Sequence, residues 1–378
     1  MKSNFNKLIF FIVINIQKVI FSFIYCFSPQ NEKKIVIGVH EIANILFNLK
    51  LIFKNNCTVV CKNNKLFYPN NNYDIDLRQN SKMINIFISA YYFGLLAKNA
   101  LFFIYLWEKG FLIDREIEFQ FLKKHKIPII CIFLGDDIRS RKLFLEYCKS
   151  INFNTYVDYD NSYYFLSDDY DLKKKILAEQ ADKYATIIFS HKVDQLSYIK
   201  KTQYFFPPLI NFNIFSNNPD KIVSSQIRIV HAPSSPVIKG TPLVRSVIKK
   251  LENEGYIFSY KELINKSHQE VIDELNKSHI VLNQFYTLIP GIFGLEAMAT
   301  FNAVLMSAKP EEFPYQFNNA WMITDDWQLY NNLKYLLDNP KMITVYASNG
   351  FLYMKNNFTE FAASEYIRDI FNQHEIYF

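Results

Sequence analysis

The chain has 378 residues and a formal net charge of +6, with 42 Lys and Arg against 36 Asp and Glu. Only nine residues are glycine, well below the usual share of about 7%. This scarcity excludes collagen-like and Gly-rich disordered chains, and neither a G-x-G-x-x-G nor a Walker A loop occurs. Half of the residues are hydrophobic, so the length predicts two or three packed domains. The basic residues are scattered, so no nucleic-acid partner is expected.

Residues 1–30 open with two lysines and two apolar runs, 8–14 and 19–27, separated by polar residues. Neither run reaches the roughly 18 apolar residues of a spanning helix, and no small-residue cleavage site follows. Two interpretations stay open: a basic, aromatic helix on the cytoplasmic leaflet, or a buried or poorly ordered helix. The five cysteines indicate a reduced cytosolic setting, and Cys57 and Cys61 lack the further ligands that zinc needs.

Short apolar strands alternate with helices in both halves of the chain, which favours parallel sheets covered on both faces. In the first half, strands are predicted at 34–39, 57–60, 100–106, 127–133 and 186–189, and helices at 41–53, 83–99, 114–125, 172–184 and around Asp194. After a Pro-marked linker at 206–220, strands are predicted at 227–230, 257–260, 280–283 and 303–306, and helices at 242–254, 268–277 and 293–300. Two doubly wound α/β domains facing a shared cleft follow.

Two strand-to-helix segments of the second half carry chemistry. In 231–241, Thr241 is predicted to cap the next helix, and Lys239 adds a positive charge beside free helix N–H groups, which suits a diphosphate. In 283–299, two glycines open a helix, and Glu296 in its first turn could accept hydrogen bonds from two adjacent sugar hydroxyls. The alternatives are a surface lysine before an ordinary cap and a carboxylate that only complements the helix dipole.

The order and spacing of these two segments resemble the nucleotide-sugar half of GT-B glycosyltransferases of the group 1, family 4-like kind. The resemblance implies a GT-B fold, with two Rossmann-like domains and a central cleft. It implies that Lys239 contacts the donor diphosphate, that Glu296 holds the ribose and that the loop 291–294 lies near the donor sugar. The donor-binding residues so implied are His231, Ser234, Ser235, Lys239, Gly240, Thr241, Gln284, Gly291, Phe293, Gly294 and Glu296.

The first half resembles the same enzymes at 38–44 and at the loop 134–139, which is similar to a GSDxR loop of polysaccharide-synthesis members. Gly38, Gly135 and Arg139 are therefore placed on the acceptor side. Predicted boundaries are an N-terminal apolar segment at 1–30, an acceptor domain at 31–208, a nucleotide-sugar domain at 209–355 and, at 356–378, a helix crossing back to the first domain.

The chain departs from the family pattern at three places. Leu288 stands where the first glutamate of an E-x7-E pair is usual, and Phe301 and Ala303 replace a Gly and a Pro. The basic residue that many members carry before the lysine is missing from the stretch between His231 and Lys239. These departures keep open a homologue of low or no activity.

Transfer requires neutralisation of the leaving diphosphate, assigned to Lys239, and placement of an acceptor hydroxyl. Asp136 or Asp137 could orient or deprotonate the acceptor, and the alternative is a capping pair with Arg139 as its partner. His40 is a weaker catalytic candidate, because a lone histidine at a strand end is more often structural. No metal or other cofactor is expected, since a lysine and a helix N-terminus already serve the phosphate.

The expected activity is that of a hexosyltransferase-type glycosyltransferase (EC 2.4) using a UDP- or GDP-linked sugar. The expected acceptor is a saccharide or lipid-linked saccharide of a bacterial surface polysaccharide, such as the O-antigen of lipopolysaccharide or a capsule. The expected location is cytoplasmic, including peripheral attachment to the inner membrane. Two alternatives stay open: a non-catalytic GT-B partner subunit, and a GT-B sugar-nucleotide epimerase or phosphorylase.

Overall fold

The first half of the protein is a six-stranded parallel sheet. The computed structural model describes residues 2–63, 71–158, 163–210, 212 and 226–378. The strands are β1 (Lys34–Val39), β2 (Cys57–Cys61), β3 (Ile75–Asp76), β4 (Ala100–Leu106), β5 (Ile129–Ile132) and β6 (Ile187–Phe189), in the order β3-β2-β1-β4-β5-β6. The helices are α1 (Lys2–Phe27), α2 (Ile45–Phe53), α3 (Lys82–Lys98), α4 (Arg115–Lys124), α5 (Arg141–Ser150) and α6 (Asp168–Tyr184). Both sheet faces are covered by buried apolar side chains, which suits continuous apolar strands.

The second half is a five-stranded parallel sheet built in the same way. Its strands are β7 (Arg228–His231), β8 (Ser259–Glu262), β9 (Ile280–Leu282), β10 (Ala303–Met306) and β11 (Met322–Ile323), in the order β11-β10-β9-β7-β8. Its helices are α7 (Pro236–Lys239), α8 (Thr241–Asn253), α9 (His268–Leu275), α10 (Gly291–Ala299), α11 (Leu329–Asp338) and α12 (Pro340–Asn357). The predicted class, two doubly wound α/β domains, is confirmed.

The last helix, α13 (Glu360–Gln373), lies against the first sheet although the chain has just left the second. Its Ile367 and Phe371 belong to the apolar core on one face of the first sheet. The Phe371 ring contacts Phe102 of β4 at 5.2 Å and Phe53 of α2 at 6.4 Å between centroids. The C-terminus therefore links the two halves a second time.

Several predicted helices begin or end elsewhere than the sequence indicates. The helix predicted from residue 41 begins at Ile45, because the buried Glu41 carboxylate accepts the N–H groups of Leu46 and Phe47 and so caps it. The helix predicted around Asp194 is wrong, since this stretch forms turns. The strand predicted at 257–260 lies at 259–262. The strand β4 and the helix before it are confirmed.

Helix α1 is continuous and packs tightly on α3. Gln17 is buried between them, where its amide nitrogen donates to the Ile86 carbonyl and its oxygen accepts the Ile113 N–H. At the crossing a Cβ on Gly94 would lie 2.4 Å from the Phe21 carbonyl oxygen, so only glycine allows this approach. The polar residues 15–18 do not break the helix. The stretch Leu8–Phe27 is long and apolar enough to cross a membrane, so the prediction that its interruptions prevent this was wrong.

Helices α1 and α3 also leave a wide apolar surface in solvent, which we call the α1–α3 apolar face. It comprises Leu8, Ile9, Phe10, Phe11, Ile12, Ile16, Val19, Phe23 and Phe27 of α1 and Met83, Ile84, Phe87 and Tyr91 of α3. Residues 8–12 are exposed at every position, so this end of α1 lies away from the rest of the protein. An exposed apolar patch of this kind marks an interaction surface. The interpretation of residues 1–30 as a buried helix therefore fails for residues 8–12 of α1.

Candidate functional site

The carboxyl end of β7 leads into the segment predicted to bind an anion. The chain forms the short helix α7, turns at Gly240 with φ 73°, and starts α8 at Thr241. The prediction that Thr241 caps α8 was wrong. The pKa of the buried His231 is lowered to about 4 by burial, so its ring is neutral: Nδ1 donates to the Leu282 carbonyl at 2.7 Å and Nε2 accepts the Thr241 hydroxyl at 2.9 Å. His231 and Thr241 therefore tie β7, β9 and α8 together.

Lys239 ends α7 and lies 8% exposed at the centre of this region. Its Nζ donates to the Gln284 side-chain oxygen at 2.5 Å, and the Gln284 amide nitrogen donates in turn to the Ile289 carbonyl. A Cβ on Gly291, whose φ is 62°, would lie 3.7 Å from the Lys239 Nζ. The structure thus brings Lys239, Gln284 and Gly291 together. Burial lowers the pKa of Lys239 to about 8, so the site favours an anion that keeps the ammonium charged.

Two helices begin beside Lys239 without a side-chain cap. Gly240 precedes α8 and Pro290 precedes α10, and neither supplies a side-chain acceptor for the first N–H groups. The start of α10 is held by Asn283, whose side-chain nitrogen donates to the Pro290 carbonyl at 2.6 Å. A Cβ on Gly294 would lie 2.3 Å from that nitrogen, so a glycine is required there. Open N–H groups and the helix dipole add to the positive potential at Lys239.

Glu296 lies in the second turn of α10, so its predicted place in the first turn was wrong, because the helix begins at Gly291. It is held by a residue that the sequence predicted only as part of a flanking helix. His268, the first residue of α9, donates from Nε2 to the Glu296 carboxylate at 2.7 Å. This hydrogen bond raises the pKa of His268. The pair presents a carboxylate with one oxygen fixed. His268 comes directly after Ser267, the first residue of a Ser267–Glu270 capping box, and this local signal fixes where α9 begins.

The other predicted donor-side residues are less enclosed. Ser234 is exposed and Ser235 is half-buried, in the turn before α7. Phe293 is half-buried and packs with the apolar cluster under α10. Within the described part of the chain, no contact of these three side chains assigns them a role in donor binding.

In the first half, His40 and Trp107 form a stacked pair at the carboxyl ends of β1 and β4, with ring centroids 6.1 Å apart and planes 11° from parallel. A Cβ on Gly135 would lie 3.8 Å from Trp107, and one on Gly38 would lie 3.3 Å from Phe111. The structure therefore brings His40, Trp107 and Gly135 together. Sequence reasoning missed Trp107, whose signal is its place directly after a buried strand.

The acidic pair of the loop 134–139 separates into two environments. Asp137 is 1% exposed and accepts the N–H groups of Leu134 and Gly135, so it closes its own loop. Burial raises the pKa of Asp137 to about 7. Asp136 is partly exposed and pairs with Arg139 at 2.8 Å and Arg141 at 2.7 Å. Burial opposes its ionisation, but the two arginines lower the pKa of Asp136 below its usual value.

Arg139 carries this network to the second half. Its guanidinium also pairs with the buried carboxylate of Asp194, whose other oxygen accepts the Leu288 N–H at 3.4 Å. Leu288 itself is 1% exposed and packs with Phe144 and Tyr156 in an apolar cluster that spans the two halves. The position where the family pattern has a glutamate therefore belongs to the contact between the domains.

Trp107 of the first half and Gly291 of the second half line the same cleft. A cavity of about 240 Å³ opens between the halves. Its lining includes Ile42, Trp107 and Leu134 from the first half and Pro290, Gly291 and Ile292 from the second. Because Gly291 adjoins Lys239, the anion site lies at the edge of this cleft. Strand carboxyl ends of both sheets meet there, as expected for ligand binding in open α/β sheets.

Phe301 lies away from this cleft. It follows the last turn of α10, at the opposite end from Gly291, with φ 53° in the left-handed region that favours glycine. Its ring stacks on Phe351 of α12 at 3.9 Å between centroids. The backbone turn that a glycine would make is kept, and the added side chain packs against α12.

No protein-family model and no curated protein sequence matches the chain, but solved structures share its fold. Sucrose-phosphate synthase from Thermosynechococcus elongatus matches with a TM-score of 0.60 and 11% identity, over 91% of this chain and 99% of that one. TarM matches with a TM-score of 0.51 and 12% identity, over 72% of this chain and 55% of that one. A UDP complex of MnaA from S. aureus has a TM-score of 0.49 and 13% identity, over 92% of this chain and 98% of that one. The predicted GT-B fold is confirmed.

Proposed function

We propose that the protein is a glycosyltransferase that takes a sugar from a nucleoside-diphosphate donor. The observation that carries the proposal is Lys239, a buried lysine that no carboxylate of the described residues neutralises. Because a buried charge requires a partner, a bound diphosphate is the group that completes this site. Two uncapped helix N-termini and the Glu296–His268 pair, which suits a ribose diol, support the same ligand. The fold shared with sucrose-phosphate synthase is compatible with it.

The proposed transfer breaks the bond between the anomeric carbon and the diphosphate oxygen, and the diphosphate leaves with the electron pair. An acceptor hydroxyl oxygen forms the new bond, and its proton passes to the leaving phosphate or to a base. Lys239 and the N-terminus of α10 stabilise the charge that develops on the leaving group. Asp136 is the better placed of the two predicted carboxylates, since Asp137 is enclosed by its own loop. The proposed reaction needs no metal or other cofactor.

Isothermal titration with UDP and GDP tests the donor assignment. We expect one of the two to bind to the whole protein, and Glu296→Ala to weaken it about tenfold, since one or two hydrogen bonds to a carboxylate are lost. Glu252→Ala, an exposed glutamate of α8, is the matched control and should leave the affinity unchanged. Absence of binding by both nucleotides, or equal binding by Glu296→Ala, would refute the proposal.

We further propose that the protein works at the cytoplasmic face of a membrane. The α1–α3 apolar face supports this, because its aromatic and aliphatic side chains lie in solvent over two helices. Neither α1 nor α3 contains an acidic residue, while Lys2, Lys7 and Lys18 lie on α1 and Lys82 and Lys98 on α3. This composition fits an anionic lipid surface. The proposed acceptor is accordingly a saccharide or lipid-linked saccharide of a surface polysaccharide.

Vesicle co-sedimentation tests this attachment. The protein should pellet with vesicles of phosphatidylglycerol and phosphatidylethanolamine, and Phe11→Glu should reduce the bound fraction strongly, since a charge replaces an inserted ring. Tyr377→Glu, at an equally exposed aromatic remote from α1 in sequence, is the control. The attachment proposal fails if the protein stays in the supernatant, or if both variants bind alike.

A non-catalytic partner subunit remains the second candidate, favoured by the buried Leu288 at the usual glutamate position. It predicts nucleotide binding without sugar transfer, and normal polymer in cells that carry Lys239→Ala. An epimerase or phosphorylase predicts turnover without an added acceptor, or with free phosphate.

A further inference from the structure

The cavity of about 240 Å³ between the two halves has an almost wholly apolar lining, and we call it the apolar cavity. Among the described residues that line it, only His191 and Trp107 have a side chain with a polar atom. The other lining side chains are aliphatic, proline or phenylalanine, and Gly291 contributes backbone alone. His191 is buried, and burial lowers its pKa to about 4, so its ring is neutral. The walls of the cavity therefore carry no charge.

The backbone around the apolar cavity adds few free hydrogen-bonding groups. Those already bonded within the protein are the carbonyls of Ile42, Trp107, Ile289 and Pro290 and the N–H groups of Trp107 and Leu134. The open N–H groups at the start of α10 are assigned to the diphosphate. A sugar hydroxyl turned towards these walls would lose its hydrogen bonds to water and find little to replace them, which is costly.

The apolar cavity begins beside the proposed diphosphate site. Gly291 lines the cavity, and a Cβ on Gly291 would lie 3.7 Å from the Lys239 Nζ. In a nucleotide sugar a single oxygen joins the anomeric carbon to the terminal phosphate, so the sugar ring lies next to the group that Lys239 binds. The cavity is smaller than the roughly 300–1,000 Å³ of pockets for drug-sized ligands, which suits a sugar ring. The covalent structure of the donor therefore places its sugar here.

We infer that the transferred sugar is a 6-deoxyhexose, whose methyl group at C6 lies against the walls of the apolar cavity. The inference rests on the proposed function and names its donor class. A methyl group has no hydrogen bond to lose, and its burial is favourable, whereas the C6 hydroxyl of an ordinary hexose would be left unpaired. An N-acetyl group suits these walls less well, because its amide N–H and carbonyl also require partners.

Pairs of nucleotide sugars that differ only at C6 test this inference. GDP-mannose, UDP-glucose and UDP-galactose are each compared with their 6-deoxy forms by isothermal titration into the unaltered protein, with UDP, GDP and UDP-N-acetylglucosamine titrated alongside. In a pair whose nucleotide binds, we expect the 6-deoxy form to bind about 10 to 100 times more tightly, the range over which apolar pockets discriminate between groups of similar shape. UDP-N-acetylglucosamine should bind no more tightly than UDP-glucose.

Ile292 is the wall residue chosen for substitution, because it is half-buried and lies in the apolar cavity directly after Gly291. Ile292→Thr and Ile292→Val introduce β-branched side chains of similar shape that differ by one hydroxyl. The threonine hydroxyl can pair with a C6 hydroxyl, so the preference for the 6-deoxy form should be about three to ten times smaller in Ile292→Thr than in Ile292→Val. Ile176→Thr, at an exposed position of α6, is the control and should keep the full preference.

Equal binding within every pair, with UDP or GDP still bound, would overturn the 6-deoxyhexose and leave the proposed donor site standing. Tighter binding of UDP-N-acetylglucosamine than of every 6-deoxy sugar would overturn it in favour of an acylamino sugar. An equal preference in Ile292→Thr and Ile292→Val would overturn the placement of the methyl group at this wall. No binding of UDP, GDP or any nucleotide sugar would refute the proposed function and this inference with it.

Discussion

Replacement of Lys239 by alanine is expected to lower sugar transfer by a factor of about 100 to 1000, the usual effect of removing one group that stabilises a leaving anion. The measurement is release of nucleoside diphosphate from whichever donor binds, in the presence of acceptor. Lys249→Ala, an exposed lysine of α8, is the matched control and should retain full activity. If Lys239→Ala transfers sugar at the rate of the control, the lysine does not serve the leaving group.

The same lysine gives nucleotide binding a defined pH dependence. Its pKa in the ligand-free protein is lowered to about 8 by burial, so above that pH binding must first restore the proton. Affinity should therefore be constant below pH 8 and fall above it, by up to about tenfold per pH unit. The stability of the ligand-free protein should change in the opposite sense. Its free energy of unfolding should be highest above the ordinary lysine pKa of 10.5, where Lys239 is neutral in the folded and the unfolded protein. It should decrease as the pH falls from there to 8, because folding then buries a charged ammonium group. Lys239→Arg should remove the fall in affinity.

The second large effect is expected at Leu288. Leu288→Glu restores the residue usual in the family pattern but places a carboxylate in an apolar cluster, beside the buried Asp194. We expect a loss of about 3 to 5 kcal/mol in the free energy of unfolding, because the new charge has no partner. Leu288→Met, which keeps volume and polarity, should cost less than about 1.5 kcal/mol. Urea or thermal unfolding of the three proteins measures this.

The outcome also separates two interpretations of the departure. If Leu288→Glu is as stable as the unaltered protein and binds nucleotide more tightly, the position still belongs to the donor site and leucine there weakens it. If it is strongly destabilised, as expected, the position has become part of the domain contact. In that case the proposed donor site consists of Lys239, Gln284 and the start of α10, without a glutamate at this place.

The fold could be predicted from the sequence because its signals are local. Each strand of the first half except the two-residue β3 appears as a short apolar run, and turn residues separate it from the next helix. Lys239, Gln284 and Gly291 could be grouped in advance, since parallel strands present their carboxyl ends at one edge. The Thr241 cap was predicted from residue type alone. This prediction failed because the left-handed turn at Gly240 starts α8 one residue earlier than predicted. In addition, the Thr241 hydroxyl donates its hydrogen bond to His231.

The side-chain hydrogen bonds and ion pairs of the candidate site join residues that are far apart in the chain. His268 and Glu296 are 28 residues apart, and no periodicity relates them. The predicted pairing of Asp136 with Arg139 is found, but Asp194, the more deeply buried partner of that arginine, was placed in a helix that does not form.

The close crossing at Gly94 makes α1 a rigid extension of the protein and not a flexible linker. A flexible tail would let an attached protein swivel and would hold its catalytic groups at no fixed height. A helix whose backbone touches its neighbour, with Gln17 bonded on both sides, transmits orientation instead. If α1 binds to the lipid surface, the protein diffuses in two dimensions when it encounters an acceptor. The cleft is then held at one height above the leaflet and in one orientation. A larger residue at position 94 would then disturb the orientation of the protein on the membrane more than its attachment.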